Sequence, residues 1–342
     1  MVIPTSLTGV TGEPKMTKTL RAIALQTKIE LLDYRNRLSF EAFLKTELEK
    51  AKPHLSDENP NLVIFPEDVG APLVTLGSFN AVKECKTLDE AVAAISKRAM
   101  DYVLVSRIRH RAGGTQAVFL SKESMIRKTY EEVLSSLSQE YNAYILAGTV
   151  VLPPEWRPTQ ETGPLKTLHT VREATRKTKL YNTAYLFGPN GDILLRQRKV
   201  NLIPLEKEGL GLSPASIDEL QTYTIEGVPI GITICYDAFF PEIVRHLADG
   251  GAKILVVPSA NPEPWTNETE EENKKGLYAR VQEESEIKYG IQVMLTGSIF
   301  DLTFEGVSSI VTKKENTPDK TGIVCQAKSH DEPEVLVADL PV

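Results

Sequence analysis

The residues best placed to do chemistry lie in the segment from Gly227 to Glu242. There the apolar run Val228 to Ile234 leads to a single cysteine, Cys235, followed by Tyr236, Asp237 and, after two phenylalanines, Pro241. A run so rich in β-branched residues, with almost no polar ones, reads as a strand buried on both faces of a sheet. Beyond it Phe240, Ile243, Val244 and Leu247 recur at helical spacing; Pro241 suits a first helical turn and Gly250 with Gly251 a helix stop. A thiol between the carboxyl end of a strand and the start of a helix meets unpaired amides and a positive dipole end. Both favour thiolate over thiol, and the amides can bind a developing oxyanion. Taken alone, a free cysteine is more often a small buried hydrophobe. Nucleophilic chemistry therefore requires a base and a cation elsewhere in the chain.

The five histidines are His54, His110, His169, His246 and His330. A Cys–His pair needs hydrogen-bond contact between thiol and ring, and His246 lies too far along the helix after Cys235 to reach back. A carboxylate at a strand end is the better base, and Glu67 closes the apolar run that begins at Asn61. Lys199 is a candidate cation. Alone, Glu67 reads as a solvated turn or capping residue and Lys199 as a surface lysine. Cys85, Cys235 and Cys325 are too few and too far apart for a disulfide framework or a zinc site, which makes a reducing cytosol the simplest home.

The elements that must position these groups follow from the hydrophobic pattern. Leu20 to Gln26 reads as a first strand, Leu38 to Lys50 as a helix with Phe40, Phe43, Leu44 and Leu48 on one face, and Asn61 to Glu67 as a second strand. Leu88 to Tyr141 is mostly helical by pattern, interrupted near Gly113 and Gly114, and Ala143 to Val151 is a third buried strand. A loop-like insertion from Pro153 to Lys179 carries Arg172, Arg176, Lys177 and Lys179, a charge run of the kind that is usually solvated. Leu180 to Phe187 and Asp192 to Arg196 form a hairpin about a Pro-Asn-Gly turn and lead into Lys199. A second hairpin, turning at Glu226 and Gly227, feeds the cysteine strand. Further on, the pattern predicts a strand over Lys253 to Val257 and a helix from Asn273 to Tyr289. Strands follow near Ile291 to Ser298, Gly306 to Thr312, Gly322 to Ala327 and Glu334 to Asp339. Strands outnumber long helices and many join as hairpins, so a mixed sandwich fits better than a doubly wound parallel sheet.

Composition bounds the function. With 342 residues, 41% hydrophobic and 25% charged, the chain can bury a large core. A formal net charge of −7 offers no general basic surface, which argues against nucleic-acid and anionic-membrane partners. Small molecules and other protein chains are the expected partners. The first eighteen residues read as a poorly ordered tail lacking a secretory apolar core, and residues 19–342 as a single domain. No apolar run reaches the length needed to span a bilayer.

Taken together, Glu67, Lys199 and Cys235 form a pattern. The chain resembles the nitrilase superfamily of carbon–nitrogen hydrolases, whose members carry Glu, Lys and Cys in that order. The matching settings here are Val63 to Glu67, Arg198 to Glu206 and Ile234 to Glu242. Supporting matches include Tyr181 to Ala184, Pro258 to Ala260, Ala279 with Arg280, and Phe304 to Ser308. The resemblance implies an α/β fold, a four-layer αββα sandwich, with the three side chains converging and subunits pairing through helices beside the cysteine as a homodimer or larger homo-oligomer. It implies that Cys235 attacks a carbonyl or nitrile carbon and that Glu67 serves as general base and then acid. Lys199 would stabilise the oxyanion with the amide after the cysteine. Glu206 would orient Lys199 or place the substrate, and Tyr236 would help position it. No metal or organic cofactor is implied, and the expected location is cytoplasmic. Tyr236 with Asp237 after the nucleophile resembles the amidase branches more than true nitrilases, which often carry Trp-Glu. Amide hydrolysis is therefore the leading reading. A nitrilase, an N-carbamoyl-amine hydrolase or an N-acyltransferase with the same triad stays open, as does a non-catalytic binding protein on the same fold. Asn201 stands where relatives often have histidine, and Asp68 to Pro72 lacks the aromatic residues common after the glutamate, so the acyl pocket is this chain's own.

Overall fold

A computed structural model describes residues 17–110, 112–155 and 178–342. Residues 1–16 of the tail expected over residues 1–18, and most of the basic insertion, including Arg172, Arg176 and Lys177, lie outside the described residues. Strands alternate with helices as the pattern predicts. In chain order they are β1 (Thr19–Glu30), α1 (Arg37–Ala51), β2 (Asn61–Phe65), α2 (Phe79–Val82), α3 (Leu88–Arg98), α4 (Met100–His110), α5 (Gly114–Tyr141), β3 (Tyr144–Leu152), β4 (Tyr181–Phe187), β5 (Ile193–Arg198), β6 (Thr222–Ile225) and β7 (Val228–Ile232). The second half adds α6 (Pro241–Asp249), β8 (Ile254–Ser259), α7 (Asn267–Asn273), α8 (Leu277–Glu283), β9 (Tyr289–Ile299), β10 (Leu302–Phe304), β11 (Ser309–Thr312), β12 (Ile323–Gln326) and β13 (Glu334–Pro341). No helix among the described residues is long and apolar enough to cross a membrane.

The strands form two sheets joined at one seam. One runs β5-β4-β3-β2-β1-β13, with β1, β2 and β3 parallel at its centre. The other runs β6-β7-β8-β9-β11-β12, with β7, β8 and β9 parallel. The far ends of the long strands β1 and β9 pair in parallel, Thr27 opposite Leu295 to Glu30 opposite Ser298, which sews the two sheets together. Side chains alternate across each strand, and that alternation builds the layers. Ala22, Ala24, Leu62 and Ile64 meet Ile230, Ile232, Ile254, Val256 and Ile291 between the sheets. The opposite faces, through Ile23, Leu25, Val63 and Phe65, pack under α1 and α5. Leu255, Val257 and Val311 pack under α6 and α8 through Ile243, Val244, Leu247 and Val281. Three apolar interfaces between four layers, two of helices and two of strands, give the αββα sandwich.

Two local expectations are corrected. The helix expected over Asn273 to Tyr289 is confined to α8; α7 ends at Asn273, and Gly276 between the two has a backbone that is not helical (φ −81°, ψ −124°). The Phe239 ring occupies the space there: a Cβ on Gly276 would stand 3.0 Å from it. Tyr289 is extended because it opens β9 opposite Ile254 of β8, so sheet pairing overrides the helical pattern. The second correction concerns Cys235. The α-helix after it begins only at Pro241, because the residue before a proline is pushed out of the helical region, and Phe240 is extended (φ −97°, ψ 112°). Cys235 instead opens a five-residue 3-10 turn ending at Phe239.

Candidate active site

Glu67 follows β2 by two residues, Lys199 follows β5 by one, and Cys235 follows β7 by three, so the carboxyl ends of two parallel strands and the end of a hairpin aim three side chains at one spot. Lys199 Nζ donates to Glu67 Oε1 at 2.7 Å and lies 2.8 Å from Glu206 Oε2; the three side chains expose 1%, 3% and 7% of their surface. At that depth an ammonium requires paired, hydrogen-bonded partners, and it has two. Asn182, in β4, joins them from the other side, its Nδ2 donating to Glu67 Oε1 and Glu206 Oε1 at 2.8 Å each. The backbone amide of Ala260 donates to the remaining Glu67 oxygen at 3.1 Å. Glu206 is fixed in turn by the amide of Ile203 at 3.0 Å.

Cys235 closes the group. Its thiol donates to the Ala260 carbonyl at 3.6 Å, and the Ala260 amide in turn holds Glu67. Its backbone sits in the left-handed region, φ +46°, which costs a non-glycine residue roughly 1–2 kcal/mol. The turn that follows is anchored by buried Asp237, whose carboxylate accepts from the amides of Val200 at 3.1 Å and Asn201 at 2.6 Å. That contact ties the cysteine turn to the segment carrying Lys199, and it occupies Asn201, the position noted as unusual.

Burial sets the electrostatics. It pushes the Glu67 carboxyl up; Lys199 opposes that and Glu206 reinforces it. Burial also lowers the tendency of Lys199 to hold its proton, but Glu67, Cys235 and Glu206 outweigh it, so the ammonium is held well above its ordinary range. The Cys235 thiol is pushed far up, first by burial and then by Glu67, although Lys199 and the Ala260 hydrogen bond pull the other way. This corrects the expectation that helix amides would make a resting thiolate: the dipole argument requires a helix start at Cys235, and the helix starts at Pro241. The thiol rests protonated beside a carboxylate whose own affinity for a proton is raised.

A cleft of about 820 Å³ of atom-free space, its open mouth included, reaches Glu67, Asp68, Lys199, Glu206 and Ala260. Cys235 is not in its lining; the residue is half-buried and reaches the cleft wall through its hydrogen bond to the Ala260 carbonyl. Of the five side chains singled out from the sequence, four come together. The fifth, Tyr236, is 39% exposed and packs at a tilt on Phe239 at 5.6 Å and edge-on against Phe240 at 5.1 Å between ring centres, away from the cleft lining. Asn182 and Asp237 were not singled out as site residues. Asn182 was visible as the amide in an otherwise mostly apolar strand, and Asp237 as an acid beside the cysteine. Among the described residues no group of three or more His, Cys, Asp or Glu side chains is placed to hold a metal ion.

The carbon–nitrogen hydrolase family pattern matches residues 85–278, more than half of the chain, a span that includes Lys199, Glu206 and Cys235 with Glu67 upstream of it. The chain belongs to that family, within the nitrilase superfamily. Omega-amidase NIT2 of Mus musculus is 26% identical over 193 residues, 54% of this chain and 59% of that protein. The probable hydrolase YhcX of Bacillus subtilis is 26% identical over 247 residues, 72% of this chain and 36% of that protein. The chain thus spans less than two thirds of the length of these relatives. Among solved structures, a variant of the amidase from Nesterenkonia AN1 superposes with a TM-score of 0.56 at 17% identity, covering 95% of this chain and 92% of that one. Nit3 of Saccharomyces cerevisiae superposes with 0.58 at 18%, covering 95% and 90%. At such identities the likeness establishes the sandwich and nothing finer.

Proposed function

We propose that this protein hydrolyses carboxamides through a thioester on Cys235, with Glu67 as proton carrier and Lys199 as the fixed positive charge. The observation that carries the reading is the buried ion-pair chain from Glu67 to Lys199 to Glu206, joined to the thiol through Ala260, whose carbonyl accepts from Cys235 and whose amide donates to Glu67. Because thiol and carboxyl are both held up, the proton is moved as the nucleophile attacks rather than beforehand. As the sulfur–carbon bond forms, the thiol proton passes to Glu67 and the carbonyl oxygen takes up the electron pair beside Lys199. When the tetrahedral adduct collapses, Glu67 returns that proton to the departing nitrogen and ammonia or an amine leaves. Water, deprotonated by Glu67, then attacks the thioester; the sulfur–carbon bond breaks and the acid and the free thiol are restored. Proton transfer by a positioned group supplies roughly 10² to 10⁴ in rate, and charge stabilisation at the oxygen a comparable share. Glu206 and Asn182 hold Lys199 and Glu67 in register and touch no reacting atom.

Relatives named as amidases support amide over nitrile as substrate, as does Tyr236 with Asp237 after the cysteine. In a mutant of the Nesterenkonia amidase, acrylamide is bound by Michael addition at the active-site cysteine. The test is ammonia release from amides, nitriles and carbamoyl compounds, with intact-mass measurement of an acyl adduct. Cys235→Ala should lose turnover and adduct while melting within a few degrees of the parent, because the change deletes one sulfur atom. Amide hydrolysis surviving in that variant would rule the mechanism out.

A further inference from the structure

We propose that the cleft beside Cys235 selects uncharged, apolar acyl chains and rejects chains ending in a carboxylate, a reading that rests on carboxamide hydrolysis at Cys235. The cleft is built of two kinds of wall. Ile203, Leu205 and Leu210 come from the segment after Lys199, Ile299 from the end of β9, and Leu302 and Phe304 from β10; Phe119 of α5 and Ile29 of β1 add to the apolar part. Thr75 is the uncharged polar side chain of the lining, and its hydroxyl is turned to the Pro72 carbonyl at 2.8 Å. Among the described residues, the charged part of the lining holds one cation, Lys199, against three carboxyls, Glu67, Asp68 and Glu206.

Lys199 has no charge to spare, since both its ion-pair partners are already in contact at 2.7 and 2.8 Å. Asp68 adds to the imbalance. Its backbone is left-handed, φ +64°, held there by its amide on Thr149 Oγ1 at 2.9 Å and by its carbonyl accepting from Ala71 at 3.0 Å. That conformation places its carboxyl on the cleft wall beside Glu67. Burial, then Glu67 and Glu206, hold the Asp68 carboxyl well above the usual carboxylate range, so this end of the cleft already resists added negative charge. A second carboxylate carried in on the acyl chain would lose its water, face apolar walls and meet like charge with no cation to receive it. An alkyl or aryl chain of the same length loses nothing and buries its surface.

The test uses the full chain and a panel of propanamide, butanamide, hexanamide, glutaramate (the monoamide of a five-carbon diacid) and 6-aminohexanamide, with ammonia release as the rate. We expect kcat/KM to rise by about fourfold per added methylene from propanamide to hexanamide. Glutaramate should fall below hexanamide by about 100-fold or more. The hexanamide-to-glutaramate ratio should widen as pH rises and Asp68 ionises, and Asp68→Asn, which tolerates the left-handed backbone, should remove that widening. Glutaramate turned over as well as hexanamide would overturn the proposal and assign carboxylate binding to a cation outside the described lining. 6-Aminohexanamide outrunning hexanamide would overturn it in favour of cationic substrates. If no amide yields ammonia, carboxamide hydrolysis itself fails. The cleft is then judged by the thermal shift that hexanamide and glutaramate each give Cys235→Ala: a larger shift with hexanamide keeps the selectivity, and a larger one with glutaramate removes it.

Discussion

Replacing Glu206 by glutamine removes one of the two negative charges flanking Lys199 and keeps the shape of the side chain. Glu206 and Glu67 accept from the same Asn182 nitrogen at 2.8 Å each, so the two oxygens stand within about 5.6 Å of each other. At an effective dielectric constant near 20, unit charges at that distance repel by about 3 kcal/mol, or roughly two pK units. Glu206 contributes to raising Glu67, after burial, so its loss lets the Glu67 carboxyl fall. Lys199, left with Glu67 as its one carboxylate partner of the pair, pulls in the same direction. A base must be deprotonated to act, and activity is lost as pH falls through its pKa; the acid limb of kcat/KM therefore moves to lower pH in Glu206→Gln, by about one to two units. The weaker base should also lower the plateau rate, by about tenfold. The limb belongs to the coupled cluster rather than to Glu67 alone, but the direction of its movement is the same for either description. The assay is ammonia release from a neutral amide across the pH range, with melting temperature as a check on folding. An acid limb that stays in place or moves to higher pH in a folded variant would show that Glu206 does not tune the base.

Gly148 lies in β3 at φ +65°, where a Cβ would drive into the Pro66 carbonyl, immediately before Glu67. Gly148→Ala should cost about 2–4 kcal/mol of stability in denaturant titrations and lower kcat by displacing Glu67; wild-type stability and rate together would refute the close-approach argument. Lys122, buried in α5, donates to the Leu76 carbonyl and to Ser78 Oγ, and burial followed by Arg98 lowers its pKa to about 8. Between about pH 8 and the ordinary lysine value near 10.5 the unfolded chain binds the extra proton, so wild type gains stability relative to Lys122→Met as pH rises through that window. After allowance for solvent at the ammonium, the gain is on the order of 1 kcal/mol. A pH-independent difference between the two proteins would count against a strained charge at Lys122.

Much of the sandwich is written in period-two patterns. Leu255 and Val257 face α6 while Ile254 and Val256 face the other sheet, an alternation visible in five residues of sequence. The hairpins before Lys199 and Cys235 are announced by Pro-Asn-Gly and Glu-Gly turns, and the helical stretch from Leu88 to Tyr141 breaks where Gly113 interrupts it. Patterns mislead where a partner outside the local segment decides. The helical spacing of Asn273 to Tyr289 yields at Tyr289 to pairing with β8, and at Gly276 to the ring of Phe239. At Cys235 the local signal itself contains the answer: Pro241 bars a helix from starting earlier, and the turn between them is set by Asp237 reaching Val200 and Asn201.

The types and order of Glu67, Lys199 and Cys235, and the strand ends that carry them, follow from sequence alone, because residue type and hydrophobic period are local properties. The charge state of the site is not local. Whether the thiol rests as thiolate depends on how much water its neighbours remove, and on Glu67 and Glu206, brought from 168 and 29 residues upstream in the chain. Tertiary structure alone placed Lys199 between two carboxylates, found Asn182 to bridge them and set Asp68 on the cleft wall. Burial and proximity arise only when two sheets close on each other, and they decide what a cysteine, a lysine and a glutamate can do.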